Sequence, residues 1–479
     1  MEKKSFCKLK ELADSISSAH KTEIENARKE LVESAKASDR TWVVLDDDPT
    51  GIQTVHDIAV YTDWKEETLV EALKNEKGMF YILTNSRGLT FSETEKLHYE
   101  LMKNLISASQ KSGVSFNVIS RSDSTLRGHF PLETNIIEEC MEKELGEKAD
   151  GIILAPFFYA GGRITYEDIH YVKYGDELVP AADTEFAGDE TFGYKNSDLK
   201  AYIEEKTGGK RKASDVISIP LELMRQGNVD EIEERLKEAK DGTPIVVNAA
   251  QPVDLEVFGA ALYRCLKAGK SFVYRTAADF VKAVGAISDK PLLDKKALKV
   301  TGEPGGIVMI GSHTDKTTRQ LEKLREIAGL EFIEYDSDKV LEEGLSEETK
   351  RVSELATRKI ESGITLVIYT KRKVLNIPGD TREAALLRST KISDEFTDIV
   401  AKLGCKPSFI VGKGGITSSD IGTKALRVKR ALVLGQIQPG VPVWETDECS
   451  RFPGIPYVIF PGNVGDDDTL YKALKVLTD

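Results

Sequence analysis

Short apolar runs alternate with amphipathic stretches along most of this chain. Trp42 to Leu45, Met79 to Leu83, Val114 to Ile119, Ile152 to Ala155 and Ile245 to Val247 are such runs, and helical stretches separate them. Residues 91–112 show the helical period well: Leu97, Leu101 and Leu105 lie four apart and so share one face of a helix. Runs that are apolar throughout suit strands covered on both faces, and their alternation with helices predicts α/β architecture with a mainly parallel sheet. The pattern breaks near residue 290. It restarts with Ile307 to Ile310, a helix from about Asp315, then Leu366 to Tyr369, Phe409 to Val411, Ala431 to Leu434 and Tyr457 to Phe460. The expected fold is two α/β domains, each a mainly parallel sheet flanked by helices, with the active site in the cleft between them.

The breaks set the expected domain limits. Residues 1–40 read as an N-terminal helical extension: Leu9, Leu12, Ile16, Ile24, Leu31 and Val32 recur among charges at near-helical spacing, which suits packing or an oligomer contact. A first domain spans 41–290. Within it, residues 184–215 lose the alternation and end in Thr207-Gly208-Gly209-Lys210-Arg211-Lys212, which reads as a long polar excursion, a solvated surface loop with an exposed tip. Pro, Gly and charge cluster from Asp289-Lys290-Pro291 to Gly302-Glu303-Pro304-Gly305-Gly306, which suits a linker over 291–306. A second domain then runs over 307–479. A length of 479 residues also suggests two or three domains, and no repeat or low-complexity tract interrupts them.

Charge and cysteine usage narrow the partners. A net charge of -13 argues against nucleic acid, whose phosphates want a basic footprint, so an acidic substrate would need a local basic site. The closest two of the five cysteines (7, 140, 265, 405, 449) are 44 positions apart, with no C-x-x-C pair, which fits a reducing, cytoplasmic setting. The charged start Met1-Glu2-Lys3-Lys4 does not read as a signal peptide, and no apolar stretch reaches the roughly 18 residues of a membrane span.

Two polar turns stand directly after apolar runs: Asp46-Asp47-Asp48-Pro49-Thr50-Gly51 and Ser122-Asp123-Ser124-Thr125-Leu126-Arg127-Gly128. In an open parallel sheet the crevice lies beyond the carboxyl ends of the strands, so both turns are expected to line one pocket, together with Asn85-Ser86-Arg87 and Arg121. Carboxylates, hydroxyls and arginines there suit a small polyhydroxylated acid, with Arg87, Arg121 and Arg127 answering its negative charge. The three aspartates could include a general base and a magnesium contact. Any single one is equally well explained as a turn or N-cap residue.

The second half places glycine-rich turns after its strands: Gly311-Ser312-His313-Thr314, Gly412-Lys413-Gly414-Gly415-Ile416-Thr417-Ser418 and Pro461-Gly462-Asn463-Val464-Gly465. Such turns let backbone N–H groups approach a phosphate. Each alone is ordinary, but three in one domain favour nucleotide binding. Gly269-Lys270-Ser271 only imitates the end of a Walker A motif, since position 264 is Arg, and reads as a helix end. No G-x-G-x-x-G follows a strand, no G-x-S-x-G elbow is present, and the six histidines show no zinc-binding spacing.

In their order along the chain, several motifs resemble those of the four-carbon acid sugar kinases, over about residues 41–479. They are Asp47-Asp48-Pro49-Thr50-Gly51, Thr84-Asn85-Ser86-Arg87, Arg121-Ser122-Asp123-Ser124-Thr125-Leu126-Arg127-Gly128, Ala155-Pro156 with Gly162-Arg163-Ile164-Thr165, Gly414-Gly415-Ile416-Thr417-Ser418 and Gly462-Asn463-Val464-Gly465. The string Asp123 to Gly128 is the most specific. This resemblance implies a sugar-acid-binding N-terminal domain, a nucleotide-binding C-terminal domain, and ATP-dependent phosphorylation of a hydroxyl on threonate, erythronate or a 3-oxo-tetronate, with ATP and Mg2+ as cofactors. It implies that Asp47, Asp48, Thr50, Gly51, Ser86, Arg87, Arg121, Ser122, Asp123, Ser124 and Arg127 hold the acid. Ser312, Gly414, Gly415, Gly462, Asn463, Val464 and Gly465 would hold ATP, and no residue is assigned as a metal ligand; His313, Thr314 and Thr417 of the same turns are further candidates for ATP contact, His313 being at least as well explained as an ordinary turn histidine.

Catalysis in such a transfer is mostly positioning and charge stabilisation. Asp123 or Asp47, then Asp48, are the candidate acceptors of the hydroxyl proton, and Arg127 or Arg87 would bind the carboxylate or steady the phosphoryl group. The chain departs from the family pattern at Arg121, where Lys is usual, at Gln53-Thr54, and in residues 1–40. Partners are then a small sugar acid and ATP, with neither nucleic acid nor membrane, and the resemblance favours a homodimer. Two other readings are a non-catalytic regulator that binds both ligands, and a phosphohydrolase built on Asp46-x-Asp48-x-Thr50.

Overall fold

The computed structural model describes residues 20–479 except 302, 374, 376, 378 and 463. The expectations for Leu9, Leu12, Ile16 and Asn463 lie outside the described residues. Two compact units divide the chain, one of 20–51 with Asp63–Asp289 and one of Ile52–Thr62 with Lys290–Asp479. Strands are numbered β1 to β18 along the chain.

Seven strands of the first unit form a wholly parallel sheet. Their order is β3 (Met79–Leu83), β1 (Arg40–Asp46), β4 (Ser115–Arg121), β11 (Phe272–Thr276), β5 (Gly151–Ala155), β10 (Thr243–Val247) and β9 (Ile217–Ile219). Side chains of β1, β3, β5 and β11 are buried almost throughout, as the apolar runs of the first three require for strands covered on both faces. Between β3 and β4 runs the helix Phe91–Ser112. It begins at a capping box, in which Thr90 Oγ1 accepts from Glu93 N and Glu93 Oε2 from Thr90 N, and ends at Gly113 in the left-handed region.

The described part of the N-terminal extension is the helix Lys21–Ala37. It packs on the unit's own helix Pro252–Lys267: Leu31 lies against Gly259, Arg28 Nε donates to Glu256 at 2.5 Å, and Arg264 Nη2 donates to Glu30 at 2.7 Å. Gly269-Lys270-Ser271 is indeed a helix end, with Gly269 at φ +88°.

Residues 184–215 depart from the solvated loop expected. After an antiparallel sheet of β6 (Arg163–Tyr166), β7 (Ile169–Tyr174) and β8 (Glu177–Pro180), the chain makes short helical turns and the helix Leu199–Lys206. Tyr194, Leu199, Tyr202 and Ile203 are buried with Leu126, Phe130 and Val172 in one cluster. Aromatic residues spaced too irregularly to register as periodic supply this core.

In the second unit, five parallel strands run β13 (Leu330–Tyr335), β14 (Thr365–Thr370), β12 (Ile307–Ile310), β15 (Ile410–Lys413) and β18 (Pro456–Phe460). The sheet continues with antiparallel β17 (Val441–Thr446), β16 (Arg430–Gln438) and β2 (Ile58–Tyr61). β2 comes from the segment 52–62, which the apolar pattern had left in the first domain. Its residues pair with β16, Tyr61 opposite Arg430 and Val60 opposite Ala431. From the stretch expected as a linker, Leu293, Leu298 and Val300 are buried in this unit's core beside Val308, Ile437 and Val443.

Candidate functional site

The carboxyl ends of β3, β1, β4 and β11 lie side by side, with Asp46 in register with both Leu83 and Arg121, and Arg121 with Thr276. Parallel strands send their following turns to one edge, so Asp47 to Gly51, Asn85 to Arg87 and Ser122 to Gly128 meet there. Arg121 is the hub. Its guanidinium pairs with Asp46, Nη2 donates to the Asp48 carbonyl at 2.8 Å, and Nη1 donates to the Ser122 carbonyl at 3.2 Å. Gly51 lies against this group so closely that a Cβ would stand 1.7 Å from Nη2. That contact accounts for the glycine ending the Asp-rich turn.

Asp47 takes a two-pronged bond from Arg87, Nη2 at 2.6 Å and Nε at 3.1 Å, and the Ser122 hydroxyl at 2.5 Å. Burial alone would raise its pKa, but Arg87 and Arg121 outweigh burial and hold it below the usual carboxylate range. Burial prevails at Asp46, which sits beside Asp47 and Asp48 as well as Arg121 and is pushed up to about 7. Asp48 Oδ1 accepts from the amide and hydroxyl of Thr50, an Asx turn, and Oδ2 lies 3.5 Å from Arg87 Nη1.

Side-chain exposure separates the carboxylates: 1% at Asp46, 2% at Asp47, 19% at Asp48 and 11% at Asp123. Only the last two can meet a ligand without rearrangement. Asp123 Oδ2 accepts from Arg127 Nε at 2.6 Å and from the Thr125 hydroxyl, which leaves Oδ1 free of protein donors among the described residues. Burial again works to raise its pKa, and Arg87 and Arg127 overcome it and hold Asp123 ionised.

The loop from Ser122 to Gly128 is strapped from beneath by residues that strand-end reasoning missed. Tyr202 donates its hydroxyl to Leu126 O at 2.8 Å, Tyr194 to Thr125 O at 2.8 Å, and Arg275 Nη2 to Arg127 O at 2.7 Å. Buried His170 lies 2.7 Å from Ser124 O through Nε2 and 2.9 Å from the Thr165 hydroxyl through Nδ1. Burial lowers its pKa to about 4, so it is neutral and donates from Nε2. Leu126 holds φ +69° and Gly128 φ +109°. A Cβ at Gly128 would meet Ser122 Oγ at 2.6 Å.

Arg163 was noted in the sequence only as part of a motif. Its Nη1 donates to Gly161 O, its Nε is buried with no acceptor, and it makes no ion pair among the described residues. Arg163 and Arg127 both face the Phe186 ring, at 5.8 and 5.0 Å from its centroid. Arg127 is answered by Asp123 and, at 3.8 Å, by Asp189, whereas Arg163 has the ring but no carboxylate partner among the described residues. Ser86 turns the other way: it is fully buried and donates to buried Glu133 at 2.6 Å, which also takes the Ser120 hydroxyl at 2.8 Å. Ser124 is half-buried, and its carbonyl is the group His170 holds.

In the second unit the parallel ends of β12, β15 and β18 bring the three glycine turns together. A Cβ on Gly414 would lie 3.3 Å from Ser312 Cβ and 3.5 Å from Thr417 Oγ1, and one on Gly462 3.9 Å from Ser312 Oγ. Gly311 allows no side chain because Thr417 Oγ1 would be 2.2 Å from its Cβ. Ser312, Gly414, Thr417 and Gly462 therefore converge, and Gly415 follows as the first residue of the short helix Gly415–Asp420. Ser312 Oγ accepts from Thr317 Oγ1 at 3.0 Å, and Thr314 caps the helix Asp315–Leu324 by accepting from Thr317 N at 3.3 Å. His313 Nε2 lies 3.2 Å from the Thr370 hydroxyl, and burial and Arg372 lower its pKa. Val464 packs against Gly440 and offers its carbonyl to Gln320, and Gly465, at φ +79°, leaves room for Thr469. Of these, Thr314 stays at the point of convergence, its Oγ1 3.4 Å from Ser312 Oγ, while the contacts of His313, Val464 and Gly465 are with flanking segments. Lys413, part of the second turn but not among the residues expected to hold ATP, is completely buried. Among the described residues no cluster of His, Cys, Asp or Glu is arranged to hold a metal ion. No helix among them is long and apolar enough to cross a membrane.

One unit thus carries an acid-and-guanidinium cluster at its strand ends, the other a convergence of glycine turns, as in a two-domain protein that binds a polar acid and a nucleotide. The sequence matches the profile of a sugar-binding N-terminal domain over residues 42–284 and that of a nucleotide-binding C-terminal domain over 307–470. The chain belongs to this family, whose two-domain architecture is that of the four-carbon acid sugar kinases. Two solved structures share the fold. A protein of Salmonella typhimurium LT2, provisionally described as a tRNA synthase, aligns with TM-score 0.65 at 17% identity over 90% of this chain and 98% of its own. A Haemophilus influenzae protein of a domain family without described function aligns with TM-score 0.58 at 18% identity over 91% and 100%. No curated protein matches the sequence significantly.

Proposed function

We propose that the protein is an ATP-dependent kinase that phosphorylates a hydroxyl of a four-carbon sugar acid of the threonate, erythronate or 3-oxo-tetronate type. The observation that carries this reading is Asp123, ionised and with Oδ1 free, set beside Arg127 and near the unpaired Arg163. Arg127 and Arg163 would hold the substrate carboxylate. Asp123 Oδ1 would accept the hydroxyl hydrogen, fixing the oxygen for attack, while Asp48 offers a second polar contact. Asp47 serves by anchoring Arg87 and Ser122. A strongly acidic aspartate suits the task because, in a loose phosphoryl-transfer transition state, the proton leaves late and orientation matters most.

The nucleotide's phosphates would lie on the amides of the turns at Ser312 and Gly462, with Gly414, which carries no side chain, leaving room beside Ser312. Ser312, whose hydroxyl is the polar side-chain group at the point of convergence, would be the protein oxygen nearest a magnesium ion carried on those phosphates, and such an ion would supply charge neutralisation on the transferring group. Transfer requires the acid and the nucleotide to meet, so turnover would need the two units to bring their sites face to face and exclude water. The phosphohydrolase reading would need Asp46 as nucleophile, and Asp46 is buried and committed to Arg121. Incubation with ATP and magnesium tests the proposal: a phosphate ester should form with at least one four-carbon acid and not with the matching tetritols. Esters formed equally from the tetritols would contradict carboxylate recognition.

A further inference from the structure

Lys413 ends β15 and is completely buried, yet no carboxylate pairs with it among the described residues. Its Nζ donates to Pro461 O at 2.7 Å and Gly462 O at 3.0 Å and lies 4.5 Å from the centroid of the Phe460 ring. Its own carbonyl accepts from Gly311 N at 3.4 Å, and the next residue, Gly414, donates its N–H to Phe460 O at 2.9 Å. One residue thus ties together all three glycine turns. Two carbonyl dipoles and a π face offset only part of the cost of burying an ammonium. Burial, with the charge of Lys316, pushes its pKa down to about 7, as for a cation short of negative charge.

Peptide geometry adds direction. The C=O and N–H of a trans peptide point opposite ways, so fixing Pro461 O on the ammonium turns the Gly462 N–H away from it. Gly462 is the residue that lies beside Ser312. We propose that Lys413 is a positioning residue of the nucleotide site, holding the Pro461–Gly462 turn with its amide outward and supplying positive charge that bound phosphates neutralise. The assignment rests on the nucleotide reading of this unit.

The test is calorimetric binding of ATP, ADP, AMP and adenosine to the full chain and to Lys413→Met and Lys413→Gln. Gln keeps hydrogen-bond donors without charge and serves also if the Met variant fails to fold. Both variants are expected to weaken ATP and ADP at least tenfold, AMP less, and adenosine by less than twofold. Equal weakening of all four, as lost packing alone would cause, overturns the assignment, and so does unchanged affinity. A wild-type protein that binds none of the four overturns the nucleotide reading and the assignment with it.

Discussion

Gly51 is the residue at which the acid site has least room. The Arg121 guanidinium that a Cβ would strike is held by Asp46 and by two carbonyls, so it cannot simply swing aside. Gly51→Ala should therefore cost about 1–3 kcal/mol, the usual range for overpacking, and lower the urea midpoint; an unchanged midpoint would show that Arg121 yields freely. At Asp123, replacement by Asn keeps the size and removes the charge. Turnover should fall by about two orders of magnitude or more while ATP affinity holds within twofold, and near-normal turnover would remove Asp123 from its role. His170 predicts a pH effect whose sign can be worked out. Its pKa is about 4 folded against 6.5 free, so between those values the unfolded chain binds the proton and the folded one does not. Its contribution is intact above 6.5 and is lost as the pH falls toward 4. Asp46, raised to about 7, and Asp279, raised to about 6, run the other way, costing stability as the pH rises. The informative quantity is thus a difference: between pH 7 and 4.5 the wild type should lose more thermal stability than His170→Gln, by at most on the order of 3 kcal/mol.

At the scale of elements, the strands were legible because they are buried on both faces. Runs such as Met79 to Leu83 and Ile307 to Ile310 coincide with β3 and β12, and the capped helix Phe91–Ser112 matches the leucine spacing to its ends. The turns after them were legible for the same reason, since polar residues that stop an apolar run must lie at a sheet edge. What could not be read was packing between distant segments. Tyr194 and Tyr202 sit in a stretch with no period, and their hydroxyls find carbonyls about 70 residues earlier in the chain. Ser86 and Arg163 illustrate the same limit: adjacency to a strand end says nothing of which way a side chain turns. β2 was equally hidden, because four residues pair with a strand more than 360 positions later. The buried tyrosines carry a test. Tyr202→Phe leaves Leu126 O without its donor while Leu126 remains at positive φ, so it should cost about 1–2 kcal/mol and raise the KM for the acid, with nucleotide affinity unchanged. An unchanged KM would mean that the loop holds its shape without that bond.

At the scale of the whole molecule, the chain passes between its two units three times, after Gly51, after Thr62 and after Asp289. The first crossing follows the Asp-rich turn directly: Gly51 ends that turn, and Ile52 already belongs to the second unit, whose strand β2 begins at Ile58. Each unit supplies one half of the proposed chemistry, aspartate and guanidinium in one, amide-lined turns and a buried ammonium in the other. In the proposed function these two halves perform one phosphoryl transfer. It is tested most directly by ADP release from ATP and magnesium with D- and L-threonate, D- and L-erythronate and 3-oxo-tetronates, run beside Asp123→Asn. Acid-dependent ADP from the wild type, lost in the variant, is the predicted result; no acid-dependent ADP across that panel, from protein that binds both ligands, would contradict it.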